Sequence, residues 1–141
     1  MGMIYAEQLE YMSVDSMQEM HESEIKILNE IDNLAIDYER DKTKASEIEA
    51  KLAEYAVHVK EHFSSEEKLM LEYDYPSYEM HKMAHDMFLE DFERSMGLWK
   101  RSGRLDKIIF FIRKTPEWLY MHVNSVDAGT SAYLAKKMHE K

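Results

Sequence analysis

Apolar residues recur every third or fourth position in four successive segments of the chain, the period of one helix face and not of a strand. The first segment runs from about Asp15 or Ser16 to about Glu39, with the stripe Ile25, Leu28, Ile31 and Ala35, and the charged run Arg40 to Lys44 follows as a connection. The second runs from about Ser46 to Tyr73 along Leu52, Tyr55, Val59, His62, Glu66, Leu69 and Tyr73. Asp74-Tyr75-Pro76 ends it, because the residue before a proline avoids helical geometry. The third spans about Ser77 to Arg101 along Tyr78, His81, His85, Phe88, Phe92, Met96 and Trp99, and stops at Ser102-Gly103. The fourth spans about Leu105 to Ala128 along Ile108, Phe111, Thr115, Trp118, His122 and Ser125. Pro116 inside it predicts a kink or a split, and Gly129 predicts a stop that leaves a short amphipathic tail around Tyr133 and Leu134. With 4 Gly and 2 Pro in 141 residues, the economical architecture is all-α. It is a single domain over residues 1–141, an up-down-up-down four-helix bundle over about 15–129 with a short C-terminal tail.

Charge narrows the partners. A formal net charge of -10 repels phosphate backbones and argues against nucleic acid. The absence of Cys excludes disulfides and thiolate metal sites. The opening MGMIYAEQLEYM has no basic start and no apolar run long enough for a signal peptide, and position 6 lacks the Ser or Thr that myristoylation of Gly2 needs. No stretch approaches the ~20 apolar residues of a membrane span. A soluble, cytoplasmic protein with no membrane partner is expected; oligomeric state is open.

The apolar stripes are not wholly apolar. His21, His62, Glu66, His81, His85 and His122 all fall on them. Burying one polar group without a partner costs ~1–3 kcal/mol, and six of them would consume a net stability of ~5–15 kcal/mol. A single stripe histidine is ordinarily a core residue bonded to a neighbour, and a single i,i+4 pair is common on a solvated face. Here each of the four segments contributes at least one, and two contribute a pair, His62 with Glu66 and His81 with His85. Imidazoles and carboxylates converging inside a bundle make a metal site. Imidazole suits Zn, Cu, Fe and Ni and not Ca or Mg, and the donors outnumber what one tetrahedral zinc can use, so two metals fit better. Asp127 lies five residues after His122, well off its face on a regular helix. Either the helix loosens there, as in a π-type turn, or Asp127 reaches a different point of the site.

In order along the chain stand a lone His21, then His62-Phe63-Ser64-Ser65-Glu66-Glu67, Tyr75-Pro76, His81-Lys82-Met83-Ala84-His85, Trp118-Leu119-Tyr120-Met121-His122 and Asp127. This pattern resembles the hemerythrins, in particular the bacterial single-domain ones, over roughly residues 15 to 135. The resemblance implies reversible O2 binding at a non-heme di-iron centre, for oxygen carriage, storage or sensing. It implies that His81, His85 and His122 bind one iron and His21 and His62 the other. Glu66 and Asp127 would bridge the two irons beside an oxo or hydroxo bridge. One coordination position then stays open on the iron with two histidines, where O2 or a related small diatomic would bind. The resemblance also places Phe63, Trp118, Leu119 and Val123 over that position, where a dry pocket disfavours charge separation.

The chain departs from the usual pattern in three places. SMQEMH before His21 lacks the frequent Ile-Asp-x-Gln run. Glu24 stands where a Leu is more usual, and it either points to solvent or faces inward, where it could support a ligand, donate a proton or coordinate iron. His58 lies four residues before His62 on the same face, either as support for the ligands or as a residue of the bundle end. A di-iron enzyme acting on peroxide, NO or O2 is the alternative reading, and a metal-storage bundle is a third. The ferritin-like Glu-x-x-His pairs are missing.

Overall fold

The computed structural model describes residues 12, 14–42 and 45–140. The readings made on the N-terminal segment 1–11, Gly2 included, and on Thr43 and Lys44 of the first connection lie outside the described residues.

Helix α1 spans Asp15–Arg40, α2 Ala45–Glu72, α3 Tyr78–Ser102 and α4 Asp106–His122. A π-helical segment, Val123–Asp127, follows without a break and leads into α5, Ala128–His139. Consecutive helices pack on one another and α1 also packs on α4, which closes the ring of a four-helix bundle. The described residues contain no strand, and no helix among them is long and apolar enough to cross a membrane.

Local chemistry sets the joints. Gly103 ends α3 at φ 72, a left-handed conformation, and its N–H bonds the Trp99 carbonyl at 2.7 Å. A Cβ there would meet nothing within 4 Å, so Gly103→Ala carries only a conformational cost. We expect it to cost about 1 kcal/mol, read as a lower urea midpoint with an unchanged slope. Between α2 and α3, Tyr75 N–H bonds the Met70 carbonyl at 2.8 Å and Asp74 takes φ 53. The Tyr133 hydroxyl of α5 donates to the carbonyls of Tyr73 and Asp74 and so ties the tail to this turn.

Two expectations for the fourth segment are corrected. Pro116 does not split the helix: α4 is continuous through it, because a proline removes one N–H while the turns on either side keep theirs. Gly129 does not stop it either, since α5 runs on to His139. A glycine terminates a helix only by turning left-handed, and here the buried Thr130, Ser131 and Leu134 hold the next turns against the bundle. The Ser131 hydroxyl accepts the Val14 N–H at the start of α1. Ser125, placed on the inward stripe by simple periodicity, is exposed, because the π-helical segment rotates the face that follows His122.

The core divides along its length. Leu28, Ile31, Ile48, Leu52, Tyr55, Phe92, Ile108 and Ile112 fill one half and are essentially inaccessible. The other half is where α1 begins, α2 ends, α3 begins and α4 ends, and it gathers the polar residues of the stripes.

Candidate metal centre

His21, His62, Glu66, His81, His85, His122 and Asp127 are all buried, none more than 4% exposed. They form two donor sets, in each of which the donor atoms lie within 4.8 Å of one another. One set is Glu66, His81, His85, His122 and Asp127, and the other is His21, His62, Glu66 and Asp127. Each carboxylate gives one oxygen to each set. Glu66 Oε2 lies 2.8 Å from His62 Nε2, while its Oε1 lies 3.2 Å from His85 Nε2 and 3.4 Å from His81 Nε2. Asp127 Oδ2 lies 2.8 Å from His21 Nε2, while its Oδ1 lies 2.9 Å from both His81 Nε2 and His122 Nε2.

The π-helical segment makes this possible. Five residues on an α-helix turn Asp127 roughly 140° away from His122, whereas the wider i→i+5 turn of Val123–Asp127 brings it back beside the His122 ring. Of the two geometries open to Asp127, the chain adopts the loosened turn.

Three of the outer ring nitrogens are held. His81 Nδ1 donates to the Thr130 hydroxyl at 2.7 Å, and that hydroxyl donates onward to the Val126 carbonyl. His85 Nδ1 donates to Glu67 at 2.9 Å, and His62 Nδ1 to Glu24 at 3.1 Å. With Nδ1 carrying the proton, each Nε2 lone pair points into the cluster. Spacing alone assigns no role to Thr130, Glu67 or Tyr55. Thr130 becomes visible only once the π-helical turn is known, and Glu67 sits to the side of the Glu66 face.

Glu24 does not point to solvent. It is fully buried, and its oxygens accept from His62 Nδ1 and the Tyr55 hydroxyl, so it supports a ligand from behind and belongs to neither donor set. His58 is half-buried outside both sets, its Nε2 3.4 Å from the Met20 carbonyl and its ring 6.3 Å from that of His62.

Apolar side chains pack on the ligand rings, and the two stacked contacts fall on the three-imidazole set. Phe63 stacks on His85 at 3.9 Å and its ring lies 5.3 Å from that of His62, while Trp118 stacks on His122 at 4.4 Å. Leu119 and Val123 are buried in the same half of the core.

Charges inside the cluster shift one another. Burial pushes His62 and His81 down, yet the adjoining carboxylates win. They hold His62 well above the usual imidazole range and raise His81 to about 9. Burial raises Glu66 and Asp127, Asp127 raises Glu66 further, and the surrounding imidazoles bring both below the usual carboxylate range.

The donor set fits a pair of transition-metal ions. Glu66 Oε1, His81 Nε2, His85 Nε2, His122 Nε2 and Asp127 Oδ1 are buried without a hydrogen-bond partner, although several lie within 3 Å of one another. Convergent lone pairs aimed at one point are ligand geometry, and imidazole with carboxylate oxygen suits iron. Residues 12–129 match the family model described as the hemerythrin HHE cation binding domain. The chain is 30% identical over 119 residues to a bacteriohemerythrin of Aquifex aeolicus (strain VF5), covering 84% of this chain and 87% of that protein. No solved structure matches it. A domain-length match of that kind, on a bundle with two buried donor sets sharing two carboxylates, establishes that the chain belongs to the hemerythrin family.

Proposed function

We propose that this chain binds O2 reversibly at a non-heme pair of irons bridged by an oxo or hydroxo group, for carriage, storage or sensing. The observation that supports the reading is the unequal division of donors, with three imidazoles in one set and two in the other, joined by Glu66 and Asp127. The set with fewer donors leaves coordination room for a diatomic ligand. A pair of ferrous ions, one held by each set, would supply the two electrons that O2 takes up on binding and returns on release.

The chain's own residues do the rest. His81, His85 and His122 hold one ion, His21 and His62 the other, and outer hydrogen bonds keep the rings of His62, His81 and His85 from turning. The buried Phe63, Leu119 and Val123 and the half-buried Trp118 restrict water, so separating charge beside the centre is unfavourable.

The optical spectrum tests this. The iron-loaded protein in air is expected to show near-ultraviolet and visible charge-transfer bands that vanish on deoxygenation and return with O2. Irreversible oxidation in a single cycle with release of peroxide would replace carriage with a di-iron enzyme. A colourless protein rich in zinc would point to metal storage.

A further inference from the structure

Behind His62 lies a second buried polar group that holds no metal donor. Glu24 and Tyr55 are both 0% exposed. The Tyr55 hydroxyl donates to Glu24 Oε1 at 2.9 Å, and Glu24 Oε2 accepts from His62 Nδ1 at 3.1 Å. The Tyr55 ring stands edge-on to Phe92 at 5.5 Å and is fixed by the apolar half of the core. Leu52 and Val59, its neighbours one turn away on α2, are fully buried. Burying a carboxylate in such surroundings costs more than filling the same space with apolar side chains, so packing does not explain this pair.

Its position offers an explanation. The ligands differ in what stands behind them. His81 leans on the neutral Thr130 hydroxyl, and His21 Nδ1 has no hydrogen-bond partner among the described residues. His85 leans on Glu67, whose side chain is 20% exposed and so partly screened by water. Among the described residues, His62 alone of the ligands leans on a fully buried carboxylate. An imidazole that donates to a carboxylate becomes a stronger donor at its other nitrogen, and unscreened surroundings keep that effect large.

We propose that Glu24, fixed by Tyr55, is a positioning residue that passes negative charge through His62 to the two-imidazole metal position and so biases the iron pair toward its oxidised form. The proposal rests on the di-iron reading above. Tyr55 decides which oxygen serves His62: by occupying Oε1 it leaves Oε2 for the ring.

The test is the reduction midpoint of the iron-loaded full chain, with iron content measured alongside. Glu24→Gln keeps the shape of the side chain: its carbonyl accepts from His62 and its amide donates to the Tyr55 oxygen. The charge is lost, and the Tyr55 hydroxyl turns from donor to acceptor at that oxygen. The midpoint is expected to rise by about 59 mV, a tenfold shift in a one-electron equilibrium. Tyr55→Phe releases the second oxygen of Glu24 and is expected to shift the midpoint by less. An unchanged midpoint in Glu24→Gln at full iron content overturns the proposal. Should that variant fail to fold, an unchanged midpoint in Tyr55→Phe overturns it instead. Proton NMR of the zinc-loaded protein separates this outcome from failure of the di-iron reading. A downfield His62 Nδ1–H resonance that disappears in Glu24→Leu supports the contact whatever iron does, and its absence from the parent protein refutes the contact. A parent chain that takes up far less than a pair of irons refutes the di-iron reading and leaves that resonance to report on Glu24 alone.

Discussion

Glu66→Ala is expected to remove both irons together. Glu66, like Asp127, turns its two oxygens to opposite donor sets, Oε2 toward His62 and Oε1 toward His81 and His85. Its truncation removes one oxygen ligand and a share of the compensating negative charge from each position at once. Losing a partner that merely orients a ligand typically costs 10–100-fold in metal affinity, and a ligand shared by both ions lies beyond that range. Protein purified from iron-replete cells should therefore hold roughly a tenth or less of the parent's iron and show no charge-transfer bands. Helical circular dichroism should persist, because Leu28, Leu52, Phe92 and Ile108 fill the other half of the bundle. Near-normal iron content in a folded Glu66→Ala chain would refute the bridging role. Loss of one iron with retention of the other would show that Glu66 serves one set alone.

How much of this was legible in the sequence depends on which physical signal each residue carries. The helices were readable because an amphipathic period repeats over many residues, and the observed bounds of α1, α2 and α3 fall within two residues of the expected ones. Five histidines and Glu66 were readable for the same reason: each lies on an apolar stripe where an unpaired polar group is costly. Asp127 was readable only through its family pattern, since a π-helical turn leaves no mark in a periodic code. Pro116 and Gly129 misled because local breaker signals are outweighed when the turns on both sides are packed. Glu24 shows the sharpest limit. A Glu one turn from His21 reads equally well as a solvated residue, and only the His62 ring and the Tyr55 hydroxyl, 38 and 31 residues away, make its burial tolerable. Contacts between helices of that separation carry no short-range signature.

Stripping the iron with a chelator is expected to lower the melting temperature, and to lower it more as pH rises. A ligand present at about 1,000 times its dissociation constant stabilises the folded state by ~4.1 kcal/mol. At ~2–4 °C per kcal/mol for a domain of this size, that is a fall of roughly 8–16 °C. The stripped chain should still fold, because its imidazoles take up protons and offset the buried carboxylates. His81 rises from an ordinary value of 6.5 to about 9, and His62 rises well above 6.5. A folded-state value above the unfolded one means that the native stripped chain binds more protons across that interval. The stability those protons confer is complete below about pH 6.5 and fades as pH climbs toward 9. The depressed Glu66 and Asp127 act in the opposite sense at the acid end, their contribution being lost as pH falls through and below the usual carboxylate range. The iron-loaded chain has no such loss on the alkaline side, since metal stands where the protons were. The melting gap between loaded and stripped protein should therefore widen from about pH 6 to about pH 9. Calorimetry of the two forms across that range checks it, and a gap that is constant or narrows with pH would show that His62 and His81 are not the groups that exchange protons for metal.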